Sequence, residues 1–343
     1  MSYRADKIMS LSGGNLDSKT EKGVQNTFKR VLKNGMHGLC FSPYEEGQKP
    51  GDQITEKQIR RRIEIIKPYT KWIRSFSCTE GNELIPVIAK EYGIKTLVGA
   101  WLGDDAEINK NEVAGLIKLA KADYVDIAAV GNEVMYRGDL TEDELLAFMH
   151  QVKKAIPNTP MGYVDAYYEF AKRPKITEAC DVILANCYPY WEGCSNEYSL
   201  IYMKDMFNQA LKAANGKKVI ISETGWPSQG EGLDGALPSF ENAIKYFINA
   251  QQWSREDEVE IFYFSSFDES WKVGDEGDVG AYWGLWDKDE KIKLEEYFFE
   301  VLPNYDEDRV YASDIKKVIQ WYNLLHDNGI TDFSEIEDSK EEE

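Results

Sequence analysis

Eight short, nearly continuous apolar runs punctuate this chain, and they restrict its fold more than any other feature. They are MHGLCFSP (36–43), KWIRSFS (71–77), KTLVGAWLG (95–103), YVDIAAVGN (124–132), PMGYVDAY (160–167), CDVILANCYPY (180–190), KKVIISE (217–223) and VEIFYFSSF (259–267). A strand with one wet face alternates apolar and polar residues, whereas runs without alternation suit a parallel sheet covered on both sides. Successive runs lie roughly 20–45 residues apart, enough for a helical crossover between parallel strands. Helical patterns fill those intervals. In LTEDELLAFMHQVKKAIP, Thr141 and Glu144 spell a capping box, and Leu145, Met149, Val152 and Ile156 fall on one face. Asn215-Gly216 is expected to end the helix around YMKDMFNQALKAANG in a left-handed cap. Eight β/α units predict an α/β protein of the (β/α)8 TIM-barrel type, with a doubly wound open sheet as the alternative.

The barrel is expected to span 36–303. An N-terminal extension, 1–35, packs on it, and a C-terminal helix (SDIKKVIQWYNLLHDNG) with an acidic tail occupies 304–343. The formal net charge is −20, and residues 305–343 alone hold twelve Asp/Glu against four Lys/Arg, so much of the excess is a solvated tail. Such a surface repels polyanions, and no Lys/Arg cluster interleaved with aromatics offers a nucleic-acid or anionic-lipid footprint. The expected partner is a neutral substrate, bound by a monomer that engages neither nucleic acid nor membrane. The five cysteines include no CxxC, and the three histidines are not spaced for ligation, so reduced structural thiols and no metal or cofactor are expected. GDEGDVG (274–280) has the composition of a calcium loop, but its glycines are wrongly placed for one. The start, MSYRADKIMSLSGG, lacks the apolar core of a signal peptide. The expectation is a cytoplasmic chain as it stands, secreted or periplasmic if a leader has been removed.

In a barrel of this kind the chemistry sits at the C-terminal ends of the strands. The fourth run ends in AVGNEV with Glu133, the seventh in SETGWPS with Glu223, and the eighth in SSFDESWK with Asp268 and Glu269. Three strand ends thus turn carboxylates toward one mouth. Two carboxylates flanking a scissile bond are what glycoside hydrolysis requires, one protonated to assist the leaving oxygen and one ionised to act as nucleophile or base. Six of the nine tryptophans, Trp101, Trp191, Trp226, Trp271, Trp283 and Trp286, lie at strand ends or just beyond, where rings can stack on sugar faces.

AVGNEV, NCYPY, SETGWPS and FDESWK, in that order, resemble the motifs of glycoside hydrolase family 17, whose members are β-1,3-glucanases and related enzymes. The resemblance runs from about Gly38 to about Tyr297 and carries a set of roles. It implies that Glu133 is the general acid/base and that Asn132 holds the 2-hydroxyl of the reacting sugar. It implies that Glu223 is the nucleophile of a retaining double displacement, with carboxyl groups roughly 5–5.5 Å apart. Tyr188 is expected to hydrogen-bond that nucleophile, and Arg74 to help keep it ionised. Glu269 and Lys272 match an auxiliary pair that binds sugar hydroxyls. Trp226 and Trp271 are expected to line the sugar subsites, with Asp268 in a supporting place. Phe41 departs from the family, where a Tyr is common. Together these imply hydrolysis of laminarin-type β-1,3-glucan or its oligosaccharides. A transglycosylase would use the same carboxylates, and a glucan-binding protein that had lost catalysis would keep the scaffold, so those alternatives stay open, as does endo against exo action.

Overall fold

Each of the eight apolar runs holds a strand in the computed structural model, which describes residue 16 and residues 21–274 and 276–293. In chain order these are β1 (Met36–Cys40), β2 (Thr70–Ser75), β3 (Lys95–Ala100), β4 (Ile127–Asn132), β5 (Met161–Ala166), β6 (Val182–Asn186), β7 (Lys218–Thr224) and β8 (Ile261–Tyr263). All neighbours pair in parallel, and β8 returns to β1 at Gly38↔Phe262 and Leu39↔Tyr263, which makes a closed barrel and excludes the open sheet. The strands lack alternation because both faces are covered: every residue of β4 and β6 is buried.

Closure demands a close approach at Gly38. A Cβ there would lie 2.5 Å from the Phe262 ring, so the β8–β1 seam needs hydrogen at that position. Gly38→Ala is expected to cost about 1–3 kcal/mol by overpacking, read as a lower urea midpoint with unchanged slope.

Helices form the outer layer. The capping box of Thr141 with Glu144 opens helix Glu142–Ala155, whose Leu145, Met149 and Val152 are buried against the sheet. A second box, Thr55 with Gln58, opens Glu56–Ile66. Helix Ser199–Ala213 stops before Asn215 and Gly216, both left-handed, as their sequence indicates. From the N-terminal extension, helix Glu21–Lys33 packs beside Phe240–Glu256. Phe28 meets Phe247 edge-on at 5.2 Å, Phe247 meets Tyr263 of β8, and Arg255 donates to the carbonyls of Val31 and Gly35. The last part of the barrel span, 294–303, and the tail at 304–343 lie outside the described residues, as do most of residues 1–20.

Candidate active site

Glu133 follows the last residue of β4 in a left-handed conformation, φ 52° and ψ 28°, two residues after Gly131 at φ 84°. Such a conformation is uncommon for a residue with a side chain and persists only where surrounding structure holds it. Here the Glu133 amide donates to the Val164 carbonyl of β5 at 2.8 Å, and the β4–β5 register shifts between Ala129 and Asn132. That shift turns Glu133 toward the barrel mouth. There Asn186 Nδ2, at the end of β6, donates to Glu133 Oε1 at 2.8 Å. Ser222 Oγ fixes the Asn186 amide by donating to its Oδ1, also at 2.8 Å. Burial first, then the negative charge of Glu223 and that of Asp165, push the Glu133 carboxyl up to about 7, against the hydrogen bond from Asn186 and the charge of Arg137. It therefore carries a proton through most of the weakly acidic range.

Glu223 sits on β7, which holds one extra residue against both β6 and β8 at this point. Bulges of this kind re-aim side chains beside functional sites. Glu223 is buried, and both its oxygens are engaged: Arg74 Nη1 donates to Oε1 at 2.5 Å and the Tyr188 hydroxyl to Oε2 at 2.8 Å. Arg74, from β2, is also buried. Its other terminal nitrogen donates to Asn132 Oδ1 at 2.7 Å, its first reaches the Ser222 carbonyl at 3.2 Å, and its guanidinium lies over the Phe76 ring. One planar fork thus ties Glu223 to Asn132, the neighbour of Glu133, a geometry that a lysine could not reproduce. Tyr188 is held edge-on between Phe264 and Trp283.

Across the mouth, Glu269 and Lys272 form an ion pair at 2.8 Å within the turn after β8. Lys272 lies 4.1 Å from the Phe264 ring centre, and the Trp271 indole N–H donates to Glu269 Oε1 at 3.3 Å. Trp271 is partly exposed and meets Tyr44 edge-on. Asp268 accepts from Lys293 Nζ at 2.6 Å and from the Gly284 amide at 3.0 Å, so it anchors the loop that carries Glu269. Phe41 is fully buried beside Arg74, its amide donating to the Arg74 carbonyl.

The structure corrects the expectation for Trp226. Its side chain is 1 % exposed, its indole N–H donates to the Leu237 carbonyl, and its ring packs on Tyr190 and Tyr246. A ring enclosed on both sides has no face left for a sugar. Trp101, Tyr136 and Trp191, by contrast, are exposed, and Trp271 is partly so. Trp101 lies under the Arg137 guanidinium, and its amide is held by buried Glu112, which also receives the Cys78 amide and the Ser77 and Thr79 hydroxyls.

Sequence reasoning did not assign Asn186, Arg137, Tyr163 or Asp165. The one signal for Asp165 was a charge inside the apolar run PMGYVDAY. A concavity of about 550 Å³ at the opposite end of the barrel, lined by His37, Gln251 and Glu260 among others, contains none of the candidate carboxylates. Among the described residues no group of three or more His, Cys, Asp or Glu could hold a metal, and no helix is long and apolar enough to cross a membrane. All five cysteines are free.

Residues 38–284 match the family model described as the BtgE/BtgC glycoside hydrolase domain, and a domain of unknown function, DUF6852, matches 282–325. The chain is 28% identical over 304 residues to a glucan 1,3-beta-glucosidase of Schizosaccharomyces pombe, covering 82% of this chain and 92% of that one. It is 29% identical to the glucan 1,3-beta-glucosidase BGL2 of Candida albicans, covering 67% of this chain and 83% of the relative. Among solved structures it resembles a glycoside hydrolase family 17 beta-1,3-glucanosyltransferase from Rhizomucor miehei. That match has a TM-score of 0.69 at 27% identity and covers 76% of this chain and 96% of the other. An active-site mutant of that transferase, in complex with laminaritriose, gives a TM-score of 0.68. The match to the family model spans well over half of the sequence and contains every carboxylate described above, so the chain belongs to the BtgE/BtgC glycoside hydrolase domain family, within glycoside hydrolase family 17.

Proposed function

We propose that this chain cleaves β-1,3-glucosidic linkages in laminarin-type glucan or its oligosaccharides with retention of configuration. Glu223 is the nucleophile and Glu133 the acid/base in this reading. The observation that carries it is the asymmetry of the two carboxyls: Glu223 accepts from Arg74 and Tyr188, while Glu133 is pushed up to about 7. Donors at both oxygens suit a carboxylate, and burial beside a second negative charge suits a protonated acid.

In the first step Glu133 gives its proton to the glycosidic oxygen, the bond from that oxygen to the anomeric carbon breaks, and a Glu223 oxygen bonds to that carbon. The glucosyl-enzyme removes the charge on Glu223, so Glu133, now ionised, is able to take a proton from the incoming hydroxyl. That hydroxyl attacks the anomeric carbon and releases Glu223. Asn132 is assigned to the 2-hydroxyl, Glu269 and Lys272 to further hydroxyls, and Trp271 to stacking.

Transglycosylation is the second reading, favoured by the glucanosyltransferase neighbour and by the open rings of Trp101, Tyr136 and Trp191 at the mouth, which could seat a sugar acceptor. Product analysis at high laminari-oligosaccharide concentration separates the two. Shorter chains and glucose as main products support hydrolysis, whereas chains longer than the substrate would overturn it in favour of transfer. Trp271→Ala is expected to raise KM for oligosaccharides about tenfold with little change in kcat, because stacking on a spectator sugar contributes about equally to ground and transition states. Initial rates over a range of laminaritetraose concentrations check this.

The pH dependence follows from Glu133. Its acid form is the active one for the first step, so kcat/KM is expected to fall as pH rises through about 7. With an aryl glycoside whose leaving group needs no proton, that limb should largely vanish.

A further inference from the structure

Glu133 occupies the N-cap position of the short helix Val134–Arg137, yet its side chain makes no capping bond, because it is turned to Asn186. An N-cap side chain ordinarily accepts from the amide of the second or third helical residue. Here the neighbouring strand supplies both acceptors. The Met135 amide donates to the Tyr163 hydroxyl at 2.9 Å, and the Tyr136 amide to Asp165 Oδ2 at 3.3 Å. The Tyr163 hydroxyl in turn donates to Asp165, whose other oxygen accepts from the Ala166 amide at 2.7 Å. Two residues apart on β5, the pair lies on one face of the strand. Asp165 is wholly buried and Tyr163 is 1 % exposed, with its ring against Phe170 and close under Gly131.

We propose that Tyr163 and Asp165 are positioning residues for the acid/base: from the adjacent strand they cap the helix that Glu133 cannot cap itself, and so hold its left-handed turn in place. The inference rests on the reading of Glu133 as the acid/base. An ordinary cap at this position, Ser, Thr, Asp or Asn, would spend its side chain on the backbone. Borrowing the cap from β5 leaves the carboxyl of Glu133 available to a glycosidic oxygen.

The same arrangement places a second negative charge near Glu133. The charged groups that act on Glu133 are Glu223 on β7, Asp165 on β5 and Arg137 on its own helix. Asp165 in turn has Glu169 and the Tyr163 hydroxyl about it. Burial pushes Asp165 up to about 6 against its hydrogen bonds, so it is ionised at neutral pH and helps Glu133 to keep its proton there.

Two variants test the proposal. Asp165→Asn keeps the shape and, with its oxygen toward the Tyr136 amide and the Tyr163 hydroxyl, keeps the cap; it removes the charge and gives up the acceptor for the Ala166 amide. It is expected to move the alkaline limb of kcat/KM on laminari-oligosaccharides to lower pH. Tyr163→Phe removes one hydroxyl from the cap. It is expected to lower kcat about tenfold with KM nearly unchanged, because a displaced acid is felt chiefly in the transition state. The loss should be much smaller on an aryl glycoside with a good leaving group. A merely structural role would reduce the yield of folded enzyme and move neither the limb nor the leaving-group dependence. An unmoved limb in folded Asp165→Asn, or an unreduced kcat in Tyr163→Phe, overturns the proposal. If Asp165→Asn does not fold, Tyr163→Phe decides. Glu133→Ala runs alongside. Should it keep wild-type activity on the oligosaccharide, the acid/base reading itself fails; should it lose that activity while both β5 variants match the wild type, only the cap does.

Discussion

Glu223→Ala is expected to lower kcat on laminari-oligosaccharides by about four orders of magnitude or more, with little change in the folded structure, since in the proposed mechanism it removes the bond-forming atom. Azide makes the loss diagnostic. Supplied with an aryl β-glycoside, the Glu223→Ala enzyme has room for azide where the carboxylate stood. Attack from that side gives the α-glucosyl azide. Glu133→Ala should instead accumulate the glucosyl-enzyme, which azide attacks from the opposite side to give the β-glucosyl azide. The stereochemistry of the two products, read by NMR, separates the roles. The same anomer from both variants would contradict the assignment.

Arg74→Met is expected to have the largest effect on stability. Arg74 and Glu223 are both buried and meet at 2.5 Å, and Arg74 also holds Asn132. Removing one partner of a buried pair leaves the other charge without compensation, at about 3–5 kcal/mol. Chemical denaturation should show that loss as a lower midpoint. Arg74→Lys restores charge but not the fork, so it is expected to recover part of the stability while leaving Asn132 unsupported and kcat low. A near wild-type midpoint for Arg74→Met would mean that Tyr188 and the backbone suffice to hold Glu223.

The strands were legible because burial on both faces leaves an almost unbroken apolar run, and each of the eight runs holds one strand. The capping box at Thr141 and the stop at Asn215-Gly216 were legible because both are local, set by residues within one helical turn. The meeting of Arg74, Tyr188 and Glu223 was legible only through the family's motifs, since Arg74 and Glu223 lie 149 residues apart and nothing local to either names the other. Trp226 misled for a physical reason. A tryptophan just past a strand end reads the same whether it turns into the mouth or back beneath the helices, and its distant partners, the Leu237 carbonyl and the rings of Tyr190 and Tyr246, are not visible in the local sequence. Asn186, Tyr163 and Asp165 act across strands, through bonds that a one-dimensional pattern does not record. The strained turn at Glu133 was equally hidden, because a left-handed glutamate looks like any other in sequence.

The central claim is that Glu223 forms the covalent bond to the sugar. A 2-deoxy-2-fluoro-β-laminaribiosyl fluoride has an activated leaving group and a slowed second step, so a retaining enzyme should hold it as a stable ester. Mass spectrometry of the digested protein is expected to find one label per chain, on Glu223 within SETGWPS. A label on another carboxylate, or none while the substrate is turned over with inversion, would contradict it.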